Sequence, residues 1–330
     1  MNSNHWPLDT DHCPLLSMLP STFMSAAPQF APAACSLAAV FIWGTSDFTG
    51  GYASRRANAF VFTAAAHACA LLLMVPLALA QHASFPSRAG ILWALLAGGI
   101  GGFSLAVFYR ALAEGKMGLT APIAALLGAA IPTLADIAIE GAPHAWTFAG
   151  FALAIVAIWL ITRAEPVRSP TQDSAQQFAK ENNDQIDDEE KPGAVPKGVA
   201  VAALSGVGFA AFYLCIRQAG AGSPLWIAAI SRAASFIVTA VAVIATKAPL
   251  RLDLPRAAMA AVAGSFDITG SALFIYASQH GRLDEAVVIS SLYPAVTVIL
   301  ARLILKEHFS RWRFIGLLAA LAAVPMIAGG

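Results

Sequence analysis

Runs of about 20 mostly apolar residues recur ten times along this 330-residue chain, and that length crosses roughly 30 Å of hydrocarbon as a helix at 1.5 Å per residue. The first five runs are Cys35–Ala53, Phe60–Ala80, Gly90–Leu112, Leu119–Ile139 and Ala145–Arg163. A polar stretch follows, then Gly198–Ile216, Leu225–Thr246, Ala257–Ser278, Ala286–Leu305 and Trp312–Gly329. Links such as Glu140-Gly141-Ala142-Pro143 are short, so neighbouring spans are antiparallel and pack as a bundle. No strand alternation is present, which excludes an outer-membrane barrel. The fold class is therefore all-α, a polytopic membrane protein of ten transmembrane helices. Only 12% of residues are charged and the net charge is +1. Those figures exclude a disordered chain, a nucleic-acid binder and an ordinary cytosolic enzyme.

Two segments depart from this pattern. Residues 1–33 carry no Lys or Arg, so they lack the basic region that opens a secretory signal and read as a disordered tail; Met24 is an alternative start. Residues 164–197 include Asp187-Asp188-Glu189-Glu190 and read as a solvated linker between a first unit, 34–163, and a second, 198–330. Cys13, Cys35, Cys69 and Cys215 show no paired spacing, so neither a disulfide framework nor a zinc site is expected.

The two units resemble one another. Displacing the chain so that Gly98 meets Gly264 also brings Phe108 to Phe274, Gly115 to Gly281, Trp146 to Trp312 and Gly150 to Gly316. Each unit holds five spans, an odd number, so the second is expected upside down relative to the first. Inverted repeats around a midplane site are a common architecture of secondary transporters. Charge follows the inversion: 16 of the 20 Lys and Arg fall in loops after spans one, three, five, seven and nine, three on the opposite side, and Arg232 within a span. Loop cations stay in the cytoplasm, so this count puts both termini outside.

Trp43-Gly44-Thr45-Ser46-Asp47-Phe48, together with Tyr109-Arg110-Ala111-Leu112-Ala113-Glu114-Gly115 and Ala121-Pro122, resembles the EamA-type family of the drug/metabolite transporter superfamily. The resemblance covers both units and omits the tail and the linker. It implies ten helices, a central cavity opening alternately to each side, export or import of small metabolites such as amino acids, and termini in the cytoplasm, opposite to the charge count. The second unit has Phe209-Ala210 in place of the Trp-Gly pair.

Ionisable groups inside a bilayer are costly and are kept where they face a cavity or a partner. Asp267, near the middle of span eight, is the first candidate for binding a proton or a substrate cation. Ser271 and Phe274 share its helix face, and the alternative is a neutral acid hydrogen-bonded to a neighbouring helix. Trp43 and Asp47 share a face of span one; Trp43 would stack on a solute while Ser46 or Asp47 binds its polar end, or Asp47 caps or pairs near Arg55 or Arg56. His67 either titrates near neutral pH or packs. Asp136 lies nearer a span end. Arg232 snorkels or pairs with a carboxylate. Tyr109, Tyr276 and Tyr293 sit at interfaces or line the cavity. Pro122, Pro132 and Pro294 are hinge candidates, since proline removes a backbone donor and clashes with the preceding turn, although such kinks also serve packing. Gly101-Gly102 and Gly270 suit close helix contact or sliding.

Asp47-Phe48-Thr49-Gly50 and Asp267-Ile268-Thr269-Gly270 carry an extra residue relative to an aspartic-protease loop and lie in apolar spans. HExxH, GxSxG and GxxxxGK[ST] are absent from the sequence. The chain reads as a secondary transporter of the cell (inner) membrane. It would move a small solute by alternating access, driven by an ion gradient, protons first, or by the solute's own gradient. No cofactor or metal is expected. The alternatives are a membrane enzyme or lipid-handling protein, and a non-transporting interaction or sensor protein.

Overall fold

The computed structural model describes residues 30–113, 117–162, 197–305 and 311–328. The tail and the linker expected from the sequence lie outside these residues, apart from the helical residues at their edges. Every regular element among the described residues is a helix: α1 (Ala31–Ser54), α2 (Ala59–Ala80), α3 (Arg88–Ala113), α4 (Met117–Glu140), α5 (Ala145–Thr162), α6 (Lys197–Ala219), α7 (Pro224–Ala245), α8 (Leu254–His280), α9 (Leu283–Ser290), α10 (Tyr293–Leu305) and α11 (Arg311–Ala328). Their starts follow local chemistry. Asn58 accepts hydrogen bonds from the Phe60 and Val61 N–H groups, Ser223 from Leu225 and Asp253 from Arg256, each replacing a bond that a helix N-terminus lacks. Prolines occupy the first turns of α1, α7 and α8, where their missing N–H costs nothing.

Four helices, Ala59–Ala80, Arg88–Ala111, Pro224–Ala245 and Leu254–His280, are long and apolar enough to cross a membrane by length and composition. Ala145–Leu160, Ala203–Ala219 and Phe314–Ile327 are shorter apolar helices. The outer surface carries large apolar side chains, among them Leu72, Leu92, Ile237 and Leu321. The interior holds Asp47, His67, Arg232 and Asp267. Polar groups inside and bulky apolar groups outside suit hydrocarbon surroundings.

One expected span is not continuous. Ala286–Leu305 divides into α9 and α10 at Ser291-Leu292. Pro294 is the physical cause: it has no N–H for the Ser290 carbonyl one turn earlier, and its ring crowds that turn. Pro132 is buried within α4, which runs unbroken past it and past Pro122. Of the three hinge candidates, Pro294 adjoins a break, while Pro122 and Pro132 lie within the continuous α4.

Packing repeats between the halves. α1 packs on α8 as α3 packs on α6. α4 packs on α6 as α10 packs on α1, and α3 on α7 as α2 on α8. α2 with α7 and α5 with α11 complete the set. Close approach depends on missing side chains. A Cβ at Gly98 would strike the Ser231 backbone of α7, and one at Gly264 would strike the Ala66 backbone of α2. The loops at one end meet: Ser223 N–H donates to Ser84 O at 3.3 Å, Trp226 Nε1 to Ala83 O at 3.0 Å, and Gln279 Nε2 to Gly220 O at 2.8 Å. α1 begins at this end, where Pro32 lies against Gly281, and α6 finishes there. Equivalent helices of the two halves therefore run in opposite directions.

Candidate functional site

A cavity of about 60 Å³ lies between the halves, lined from α1 by Trp43 and Asp47, from α3 by Gly101 and Leu105, and from the second half by Phe209, Phe212, Tyr213, Arg232, Asp267 and Tyr293. That is room for a few water molecules. Asp267 is thirteen residues from either end of α8, so the cavity reaches the middle of the bundle.

Arg232 and Asp267 form its charged wall. The guanidinium meets the carboxylate twice, Nε to Oδ2 at 2.9 Å and Nη2 to Oδ1 at 3.3 Å. The shorter approach is an ion-pair contact without hydrogen-bond alignment. Nη2 also donates to Ser271 Oγ at 2.5 Å, and Ser271 Oγ donates to the Asp267 carbonyl at 2.8 Å. Arg232 thus pairs rather than snorkels. Asp267 therefore has Arg232 as its partner across the α7–α8 contact. Trp43 Nε1 donates to the Asp267 carbonyl at 3.2 Å, fixing the indole across the α1–α8 seam. Gly270 makes this fit, since a Cβ there would lie 2.7 Å from the indole.

Asp47 stands apart from this pair. Tyr109 Oη donates to its Oδ1 at 3.2 Å. Tyr109 is buried, and it fits because Gly50 leaves its ring space. Asp47 therefore belongs to the interior hydrogen-bond network, not to a cap at the end of α1.

Of the residues singled out from the sequence, Trp43, Asp47 and Asp267 meet at the cavity, with Arg232 and Tyr293. Ser271, Ser46 and Phe274 stand behind its wall. Ser46 Oγ donates to the Ala263 carbonyl at 2.9 Å, joining α1 to α8. Phe274 packs its ring 5.6 Å from Trp43 and 4.8 Å from Tyr213. His67 is fully buried outside the cavity wall, and neither ring nitrogen has a hydrogen-bond partner among the described residues. Tyr109 and Tyr293 are buried, which corrects their interfacial reading. The Tyr293 hydroxyl has no hydrogen-bond partner among the described residues. Tyr276 stacks on His280 away from the cavity. Sequence reasoning noted Phe209 only as the counterpart of Trp43 and passed over Phe212 and Tyr213. The repeat register contains them: it places Phe209 on Trp43, Phe212 on Ser46 and Tyr213 on Asp47.

The end bearing the helix starts of α1, α3 and α7 is fastened by charge. Arg217 of α6 pairs with Glu140 of α4 and donates to the Ser278 carbonyl at 2.8 Å. Arg282 grips Asp284 at 2.9 Å and donates to the Gly141 carbonyl at 2.9 Å. Hydrogen bonding and charge from Asp284 raise the Arg282 pKa further above its usual range. Asp136 of α4 accepts from the Asp284 N–H at 3.0 Å, capping α9 from another helix.

A family model described as the EamA-like transporter family matches residues 32–163 and 196–329, nearly all of the helical chain and both halves separately. The chain belongs to the EamA-like transporter family. It is accordingly a multi-pass membrane protein of the drug/metabolite transporter superfamily, whose members are transporters rather than enzymes and whose partners are small solutes and lipid. No curated protein matches. A solved structure, described only as the crystal structure of a protein, superposes with a TM-score of 0.65 at 14% identity, over 89% of this chain and 95% of its own. At that identity the likeness shows the fold alone. Among the described residues no three His, Cys, Asp or Glu side chains gather to hold a metal.

Proposed function

We propose that this family member is a secondary transporter of a small metabolite, working by alternating access with the cavity between its halves as the solute site. The ten crossings form two five-helix units of opposite orientation, and the polar segment 164–197 joins them. The observation that carries the reading is the cavity itself. It is lined by both halves, holds a buried ion pair and an unpartnered tyrosine hydroxyl, and adjoins the α9–α10 break. Irregular backbone at membrane depth is tolerated where it lines a cavity or is packed in protein.

The Arg217–Glu140 and Arg282–Gly141 contacts hold one end shut, and their release would open the cavity to that side. Asp47 and Asp267 are the carboxylates that would couple movement to protons. The loop-cation count favours termini outside, whereas the family resemblance implies termini in the cytoplasm; reporters of sidedness on Asn2 and after Gly329 decide between them.

The decisive experiment reconstitutes the full chain into vesicles and screens metabolites with and without an imposed pH gradient. Uptake of a defined solute above empty vesicles is the expected result. No flux of any solute, under either condition, overturns the reading.

A further inference from the structure

The cavity carries more carboxylate than its cation can neutralise. Asp47 and Asp267 both line it, and Arg232 is the one Lys or Arg among its lining residues. Arg232 is spent on Asp267 through both carboxylate oxygens and on Ser271. Asp47 has a neutral hydrogen-bond partner, Tyr109, and no cation within ion-pair distance among the described residues. A carboxylate away from water is costly without a proton or a counter-charge.

The rest of the wall suits a cation. Trp43, Phe209, Phe212, Tyr213 and Tyr293 are aromatic, and their electron-rich faces attract ammonium groups. The Tyr293 hydroxyl, buried and unpartnered, can accept an N–H. An anion finds less. The Trp43 N–H is committed to the Asp267 carbonyl and the Arg232 guanidinium to Asp267, so binding a carboxylate would first require breaking the ion pair.

We infer that the cavity, once movement of the halves widens it beyond its present room for a few waters, takes an organic monocation, an ammonium group on an apolar or aromatic body, with Asp47 as its counter-ion. This rests on the cavity being the solute site, and it shifts the charge-binding role from Asp267 to Asp47.

The test uses the purified full chain and four probes of similar size: phenethylamine, 3-phenylpropanol, 3-phenylpropionate and phenylalanine. Affinity is read by equilibrium dialysis and by the ligand-induced rise in thermal unfolding midpoint. The amine is expected to bind at least about tenfold more tightly than the alcohol or the anion, and no more weakly than the amino acid. Asp47→Asn is expected to remove that preference, bringing amine affinity to within about twofold of the variant's own affinity for the alcohol; Asp47→Glu retains the preference. Should Asp47→Asn fail to fold, Tyr213→Leu serves, with a selective loss of amine binding. Tighter binding of the anion or the amino acid, or an amine preference that survives Asp47→Asn, overturns the inference. The two readings fail separately. Amine binding without vesicle flux sinks the transport reading alone, whereas flux of an anionic solute without amine binding sinks this one alone.

Discussion

Trp43 and Phe209, Asp47 and Tyr213, and Gly101 and Asp267 occupy equivalent places in the two halves, and all six line one cavity. At each place one half supplies a polar or charged group and the other a ring or nothing. Ser271 likewise corresponds to Leu105, and Arg232 to Ala66. The helix packing, by contrast, is repeated nearly pair for pair, down to the glycines at Gly98 and Gly264. The scaffold has kept its twofold likeness while the site has lost it. Scaffold positions are held by backbone contact, which both copies need equally. On the proposed reading, site positions would answer to one solute and need not match between the halves.

That contrast can be broken most forcefully at the ion pair. Arg232→Met should cost about 3–5 kcal/mol of stability, because it leaves the Asp267 carboxylate buried and alone. Arg232→Met combined with Asp267→Leu should recover most of it while transport stays lost. Thermal unfolding in detergent, read beside vesicle flux, checks both; a double variant as unstable as the single would show that the pair holds the fold rather than the site. The scaffold side is sharpened by Gly98→Val and Gly264→Val. Each forces a side chain onto a facing backbone and should cost about 1–3 kcal/mol, the two alike to within the spread of such measurements. A large inequality would refute the packing symmetry.

Asp47 and Tyr213 test the site position by position. Asp47→Asn should lower flux of the identified solute by about tenfold or more, equivalent to roughly 1.4 kcal/mol. Tyr213→Phe keeps the ring and should change flux by less than about twofold. Equal losses would make the two halves chemically equivalent after all. At the fastened end, Glu140→Gln removes a half-exposed ion pair worth at most about 1 kcal/mol. Its effect should be on access: a cysteine at Leu105, with native cysteines replaced, should react faster with an impermeant thiol reagent added from that end. Unchanged labelling would mean the Arg217–Glu140 contact does not hold the cavity shut. Smallest of all, replacing residues 164–196 with a flexible tether should leave flux within about twofold, since the halves meet through their helices.

The helices were legible from the run lengths alone, and so was the duplication, because a fixed displacement superposes Gly98 on Gly264 and Phe108 on Phe274. Asp267, Asp47 and Trp43 were legible as site candidates, since charge and indole inside apolar spans are expensive or conspicuous. Their roles were not. Arg232 looked equally suited to snorkelling, and His67, Ser46 and Phe274 looked like cavity residues although they stand behind it. The break at Ser291-Leu292 was hidden within an apolar run that Pro294 merely punctuates. The aromatic side of the cavity was only partly legible: the repeat register set Phe209 against Trp43, but Phe212 and Tyr213 resemble ordinary membrane-helix residues until the register is carried one turn further.

Sequence determined that the chain is a series of largely apolar helices, and determined their order and their duplication, because each follows from local composition and spacing. Tertiary structure decided which face of each helix turns inward. In water, an apolar stripe fixes that rotation; in lipid, both the outside and much of the inside are apolar, so periodicity is silent. Contacts such as Gly98 on Ser231, Gly264 on Ala66 and Arg232 on Asp267 set the rotation instead. They join residues far apart along the chain, and they leave Asp47 facing the cavity without a cation.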